Sequence, residues 1–137
     1  MARIIKILLI SLFLFLPLQV KSEELSLSTL VTVQNVPFEY CTKFFNTDAE
    51  SLFYLTIASI NANRFRIDEI QSKTGYVLFN AVNKEFLASV IKIDNKHSLL
   101  KVTPTNNVYY FQPGIVLNLF KYIEINQLEK PVQLKVN

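Results

Sequence analysis

From Phe65 onward, apolar and polar residues form short extended runs separated by turn-forming residues about every ten positions. This pattern predicts an antiparallel meander. Phe65 to Gln71 is the first run, closed by Ser72-Lys73-Thr74-Gly75. Tyr76 to Val82 is the second, turning at Asn83-Lys84, and Phe86 to Ile93 is the third, turning at Asp94-Asn95-Lys96. Ser98 to Thr103 is the fourth, stopped by Pro104 and Asn106-Asn107, and Val108 to Phe111 is a candidate fifth. Upstream, Leu25, Leu27, Thr29, Val31 and Val33 share one parity against Ser26, Ser28, Thr32 and Gln34, which reads as a strand. Pro37 and an irregular stretch from Phe38 to Asn46 interrupt it.

Two segments carry helical spacing instead. Thr47-Asp48-Ala49-Glu50 has the form of a capping box, in which the Thr47 hydroxyl and the Glu50 side chain would satisfy each other's backbone N–H groups. Ala49, Leu52, Phe53, Thr56, Ile57 and Ile60 then form one apolar face, with Asn63 as the expected left-handed terminator. After Pro113-Gly114, the residues Ile115, Leu119, Tyr122 and Ile123 make a second helical face with Val116 and Phe120 beside it. The tail from Leu128, with Pro131 and alternating Val132, Leu134 and Val136, reads as an edge strand or a frayed end. The expected fold class is therefore α+β: a meander of four to six antiparallel strands with both helices on one face, in the order β-α-β-β-β-β-α.

One helical layer hides one side of a sheet, yet both parities of the second and third strands are apolar. Tyr76, Leu78 and Val82 alternate with Val77, Phe79 and Ala81; Phe86, Ala88 and Val90 alternate with Leu87, Ile91 and Ile93. Either the sheet curls over its second side, with a partner copy or the tail packed there, or that side is a binding surface. Tyr76, Leu78, Phe86, Val90, Tyr109 and Tyr110 are the candidate interaction residues.

The N-terminus adds an address. Arg3 and Lys6 precede the apolar run Ile7 to Leu18, and Val20-Lys21-Ser22 suits cleavage before Glu23. That is the build of a secretory signal peptide over residues 1–22, leaving 23–137 as a single exported domain, periplasmic or secreted. Contact with a membrane is expected only through this segment, if it is not cut. The net charge of +3 falls to near zero once Arg3, Lys6 and Lys21 leave, since eleven basic and eleven acidic residues remain. Nucleic-acid binding, which rests on clustered Lys and Arg, is disfavoured. With one Cys in the chain no internal disulfide forms, so the core must hold the fold. The nine Phe and six Tyr that remain after cleavage are expected to supply much of that core.

The stretch from Thr47 to Phe79 joins a capped helix, the strand Phe65-Arg66-Ile67-Asp68-Glu69-Ile70, a turn at Lys73-Thr74-Gly75 and the strand Tyr76-Val77-Leu78-Phe79. In this order of elements it resembles the small helix-grip domains of BamC-type outer-membrane assembly proteins, over roughly residues 28 to 125. The chain has no lipobox cysteine and no room for two such domains. The resemblance implies a fold used for protein contacts and ligand cradling in the cell envelope, and it brings no catalytic residues.

Candidate chemistry is sparse. Cys41 and His97 are the available thiol and imidazole; a buried small hydrophobe and a solvated turn residue account for them without catalysis. Cys41 is otherwise a candidate cross-link between copies. One His and one Cys do not make a metal site, and no cofactor is expected. Two glycines exclude nearly every phosphate-cradling loop, since those need several glycines within a few residues. Asp68 and Glu69 would point to opposite sides of a strand unless a bulge intervenes. Tyr109, Tyr110 and Phe111 suit carbohydrate stacking or packing beneath the last helix. The expected function is that of a non-enzymatic envelope protein that binds another protein, or itself, through its sheet face. The alternative is a binding protein for an apolar small molecule enclosed between sheet and helix, in a cavity of at least ~300 Å³.

Overall fold

The computed structural model of the chain describes residues 30–127. In order, the elements are β1 (Gln34–Asn35), a 3-10 turn (Phe38–Cys41), β2 (Thr42–Phe45), α1 (Ala49–Ala62), β3 (Arg66–Gln71), β4 (Tyr76–Ala81), β5 (Lys84–Asp94), β6 (His97–Pro104), β7 (Tyr110–Phe111) and α2 (Gly114–Gln127). Five strands form one antiparallel sheet in the order β2-β6-β5-β4-β3, and β1 pairs with β7 as a separate ribbon. The architecture is thus the expected α+β one: strand, helix, four-stranded meander, helix, with the last strand of the meander pairing back to the first strand of the sheet.

That first strand is not the expected one. Within the run 25–34, residues 25–29 lie outside the described residues, Leu30 and Val31 are helical, and only Gln34–Asn35 is extended. The sheet's leading strand is instead Thr42–Phe45, inside the stretch expected to be irregular. It pairs with β6, Phe44 opposite Leu99 and Phe45 opposite Ser98. The expected signal segment 1–22, the expected cut before Glu23 and the tail from Leu128 also lie outside the described residues.

α1 begins one residue later than the capping box suggests. The Ser98 hydroxyl, fully buried, donates to the Thr47 carbonyl at 2.7 Å and ties this corner to β6. Asp48 then serves as N-cap, its carboxylate accepting the Ser51 N–H at 2.9 Å. At the other end Asn63 sits at φ −86°, its side-chain amide donating to the Ser59 carbonyl, and it is Arg64, at φ 61°, that takes the left-handed conformation. The apolar face of α1 is as expected: Leu52, Phe53 and Ile60 are buried, and so is Thr56, whose hydroxyl donates to the Leu52 carbonyl.

Both helices cover the same side of the sheet. Val77, Phe79 and Ala81 from β4, Phe86 and Ala88 from β5, Leu100 and Val102 from β6, and Phe45 from β2 are all buried there with Leu52, Ile60, Val116, Leu119 and Ile123. A train of rings fills this layer: Phe65 stacks on Phe79, Phe79 on Phe86 at 5.5 Å, and Phe86 meets Phe111 edge-on at 5.1 Å. Phe45 meets Phe120 edge-on at 6.2 Å, and Lys43 pairs with Glu124 at 3.6 Å, fixing β2 to α2. No helix among the described residues is long and apolar enough to cross a membrane.

Candidate functional site

None of the described elements lies on the sheet's second side. Its residues follow from register. Phe44, Leu99 and Ile91 lie side by side across β2, β6 and β5. Lys101, Ser89 and Tyr76 form the next row across β6, β5 and β4, and Thr103, Leu87 and Leu78 the one after. Arg66, Asn80 and Glu85 make the polar far end. Phe44 is 51% exposed and Ile91 41% exposed, whereas Leu99, Leu87, Leu78 and Tyr76 are half-buried between their neighbours. The result is an apolar band running diagonally from the β2 edge to β4, its two apolar rows separated by the row of Lys101, Ser89 and Tyr76.

Two bulges shape the rim. One extra residue, Asp68, interrupts β3 between Ile67 and Glu69. Such an insertion turns two successive side chains away from strict alternation. Both carboxylates consequently find partners on the open side: Asp68 accepts from Arg66 Nε at 2.8 Å, and Glu69 accepts from the Tyr76 hydroxyl at 2.7 Å. Each is engaged separately, so the pair is not poised as an acid and a base. The hydrogen bond to Glu69 also raises the Tyr76 phenol above its usual pKa. The second irregularity falls between Lys92 and Asp94 and leaves Ile93 projecting, 52% exposed, at the end of the β5–β6 hairpin.

That hairpin end is tied by Asp94. Its carboxylate accepts the Lys96 N–H at 2.8 Å and lies 2.8 Å from His97 Nδ1. A carboxylate accepts hydrogen bonds, so Nδ1 carries the proton. These bonds hold the Asp94 carboxyl below the usual carboxylate range, the Lys96 backbone contributing most. The imidazole stacks on Phe44 at 5.5 Å between centroids, lengthening the apolar band by one ring.

Of the six residues expected to form an interaction surface, Tyr76 and Leu78 lie on this open face. Phe86 and Val90 do not. Phe86 is completely buried in the ring train, and Val90 packs against the same core. The cause is the turn: β4 and β5 are joined by two residues, Val82 and Asn83, so facing partners have opposite parity, and Leu78 sits across from Leu87. Tyr109 is half-buried with its ring edge-on to Phe38 at 6.1 Å, and Tyr110 is 54% exposed on the β1–β7 ribbon, apart from the sheet. Phe44 and Leu99 were not singled out from sequence. Their signal is the pair Thr42 and Phe44 alternating with Lys43 and Phe45, visible only once β2 is known to be a strand.

Cys41 and His97 are not brought together. The thiol is buried in the core and donates to the Pro37 carbonyl at 3.9 Å, and burial pushes its pKa up to about 11. His97 is engaged with Asp94 and Phe44 on the open side. No group of three or more His, Cys, Asp or Glu that could hold a metal occurs among the described residues.

Compared with known proteins, the chain matches no family model, and no curated protein matches it.

Proposed function

We propose that this protein is an exported, non-enzymatic component of the cell envelope that binds another protein, or a second copy of itself, through the open face of its sheet. The observation that carries this reading is the apolar band of Phe44, Leu99, Ile91, Leu87 and Leu78, on a side that none of the described elements covers. Exposed aromatic and aliphatic side chains gathered on one patch favour association. Lys101, set between its apolar rows, supplies direction to a contact that would otherwise be non-specific. The export part of the proposal rests on the basic, apolar and small-residue sequence of residues 1–22.

A photo-crosslinking residue in place of Phe44 tests the contact in the producing cell. Adducts of discrete mass that vanish when Ile91 is changed to Lys support the reading. A chain that yields no adduct, and runs as a strict monomer in size-exclusion chromatography with light scattering, sinks it. Mass spectrometry of the exported fraction tests the address: a mature terminus at Glu23 is expected, and retention of Met1 or Ala2 overturns cleavage.

The apolar-ligand alternative requires an enclosed space between sheet and helices. Phe45, Phe79, Phe86, Phe111 and Phe120 occupy that layer, and this supports the interaction reading over the carrier.

A further inference from the structure

On the covered side of the sheet, the start of α1 and the β3–β4 turn face each other across an open groove of about 530 Å³, with Val90 as part of its floor. Gly75 is among its lining residues. At φ +73° it adopts a conformation that L side chains rarely take, and its carbonyl accepts the Val90 N–H at 2.8 Å. A Cβ there would come 3.3 Å from the Val90 carbonyl oxygen, so the glycine lets the turn lie close against β5. On the facing wall Phe53 is buried, and Tyr54, 60% exposed, stands edge-on to it at 5.6 Å. Val90, Phe53 and Tyr54 thus supply the groove's apolar lining, Tyr54 being the most exposed of the three.

The polar lining is unevenly charged. Lys73 and Lys92 both line the groove, with Glu50 the one carboxylate among the lining residues. The ion pairs among the described residues are Lys43 with Glu124, Arg66 with Asp68 and His97 with Asp94, so neither groove lysine has an anionic partner there. The end of α1 itself is not the source of attraction, because Asp48 already caps it.

We propose that this groove binds an amphipathic carboxylate, its alkyl chain lying along Val90, Phe53 and Tyr54 and its head group met by Lys73 and Lys92. The volume lies within the range of small-ligand sites, roughly 300 to 1,000 Å³. An acidic peptide fits less well: the floor strand β5 is paired on both sides by β4 and β6, so it offers no free backbone edge for strand addition. The site lies on the opposite side of the sheet from the apolar band, and its occupancy does not depend on the proposed interaction there.

The test titrates isotope-labelled protein with decanoate below its micelle concentration, following amide resonances, and with decyltrimethylammonium as a cation of the same chain length. Decanoate should shift Thr74, Gly75 and Val90 first. Exposed ion pairs are individually weak, a few-fold each, so K73Q/K92Q should lower decanoate affinity about tenfold, and E50Q should raise it about twofold. Decyltrimethylammonium should respond in the reverse sense. All three side chains are exposed, so an unchanged amide spectrum in the variants will show that the fold is intact. Shifts confined to other residues overturn the site, and equal decanoate affinity in wild type and K73Q/K92Q overturns the charge recognition.

Discussion

Val82 stands at φ 49° and Asn83 at φ 60°, the consecutive left-handed pair of a two-residue hairpin turn. Asn tolerates this conformation. A β-branched residue does not, and the cost is on the order of 1–2 kcal/mol. Val82 is 57% exposed, so its side chain returns little of that through packing. Val82→Asn should therefore stabilise the protein by about 1 kcal/mol, seen as a higher urea midpoint with an unchanged slope. The same turn decides which residues reach the open face: a loop of three residues would have put Phe86 and Val90 beside Tyr76 and Leu78, whereas two residues put Leu87 and Ser89 there. Cys41 is a second case where one residue's surroundings decide its chemistry. Its thiol, ordinarily near 9.0, is raised to about 11 by burial. The unfolded chain thus loses this proton first, and the stabilising contribution, whole below pH 9, drains away as pH rises toward 11. Iodoacetamide at pH 8 should leave the native thiol unmodified and alkylate it once urea unfolds the chain, a difference that intact mass resolves directly.

At the scale of elements, α1 depends on a cap that is easily titrated. The Asp48 carboxylate accepts the Ser51 N–H, and this bond holds its pKa below the ordinary value. A depressed folded pKa means the contribution is complete above the unfolded value, about 3.9, and is lost as pH falls through the folded one. Asp48→Ala should cost about 1 kcal/mol at neutral pH, and the gap to wild type in urea unfolding should narrow below about pH 4. Helix existence and face were legible because Leu52, Phe53, Thr56 and Ile60 recur at helical spacing. The cap residue was not, because Thr47 and Asp48 are both competent and the choice was made by Ser98, far along the chain, engaging the Thr47 carbonyl. Similarly, β3 to β6 declare themselves through turns and alternation, while β2 becomes a strand by pairing with β6 more than fifty residues away. Such a partner leaves no local mark on Thr42 to Phe45.

For the whole molecule, the question is which side of the sheet holds it together. On the covered side, buried rings from β2, β4, β5, β7 and α2 pack against one another. On the open side, comparable apolar residues sit in register yet remain partly in water. Sequence could not separate the two, since Phe79 and Leu78 are equally apolar on paper; the helical layer chose one parity as interior and left the other over. If the open band serves contact rather than folding, the two sides must differ in what substitution costs. Phe86→Ala, which removes the ring between Phe79 and Phe111, should destabilise by about 3–5 kcal/mol. Ile91→Lys, on the opposite side, should stay within about 0.5 kcal/mol of wild type. Paired urea titrations decide it: a large loss for Ile91→Lys in the isolated monomer would mean the open band belongs to the folding core, and its apolar character would then need no partner to explain it.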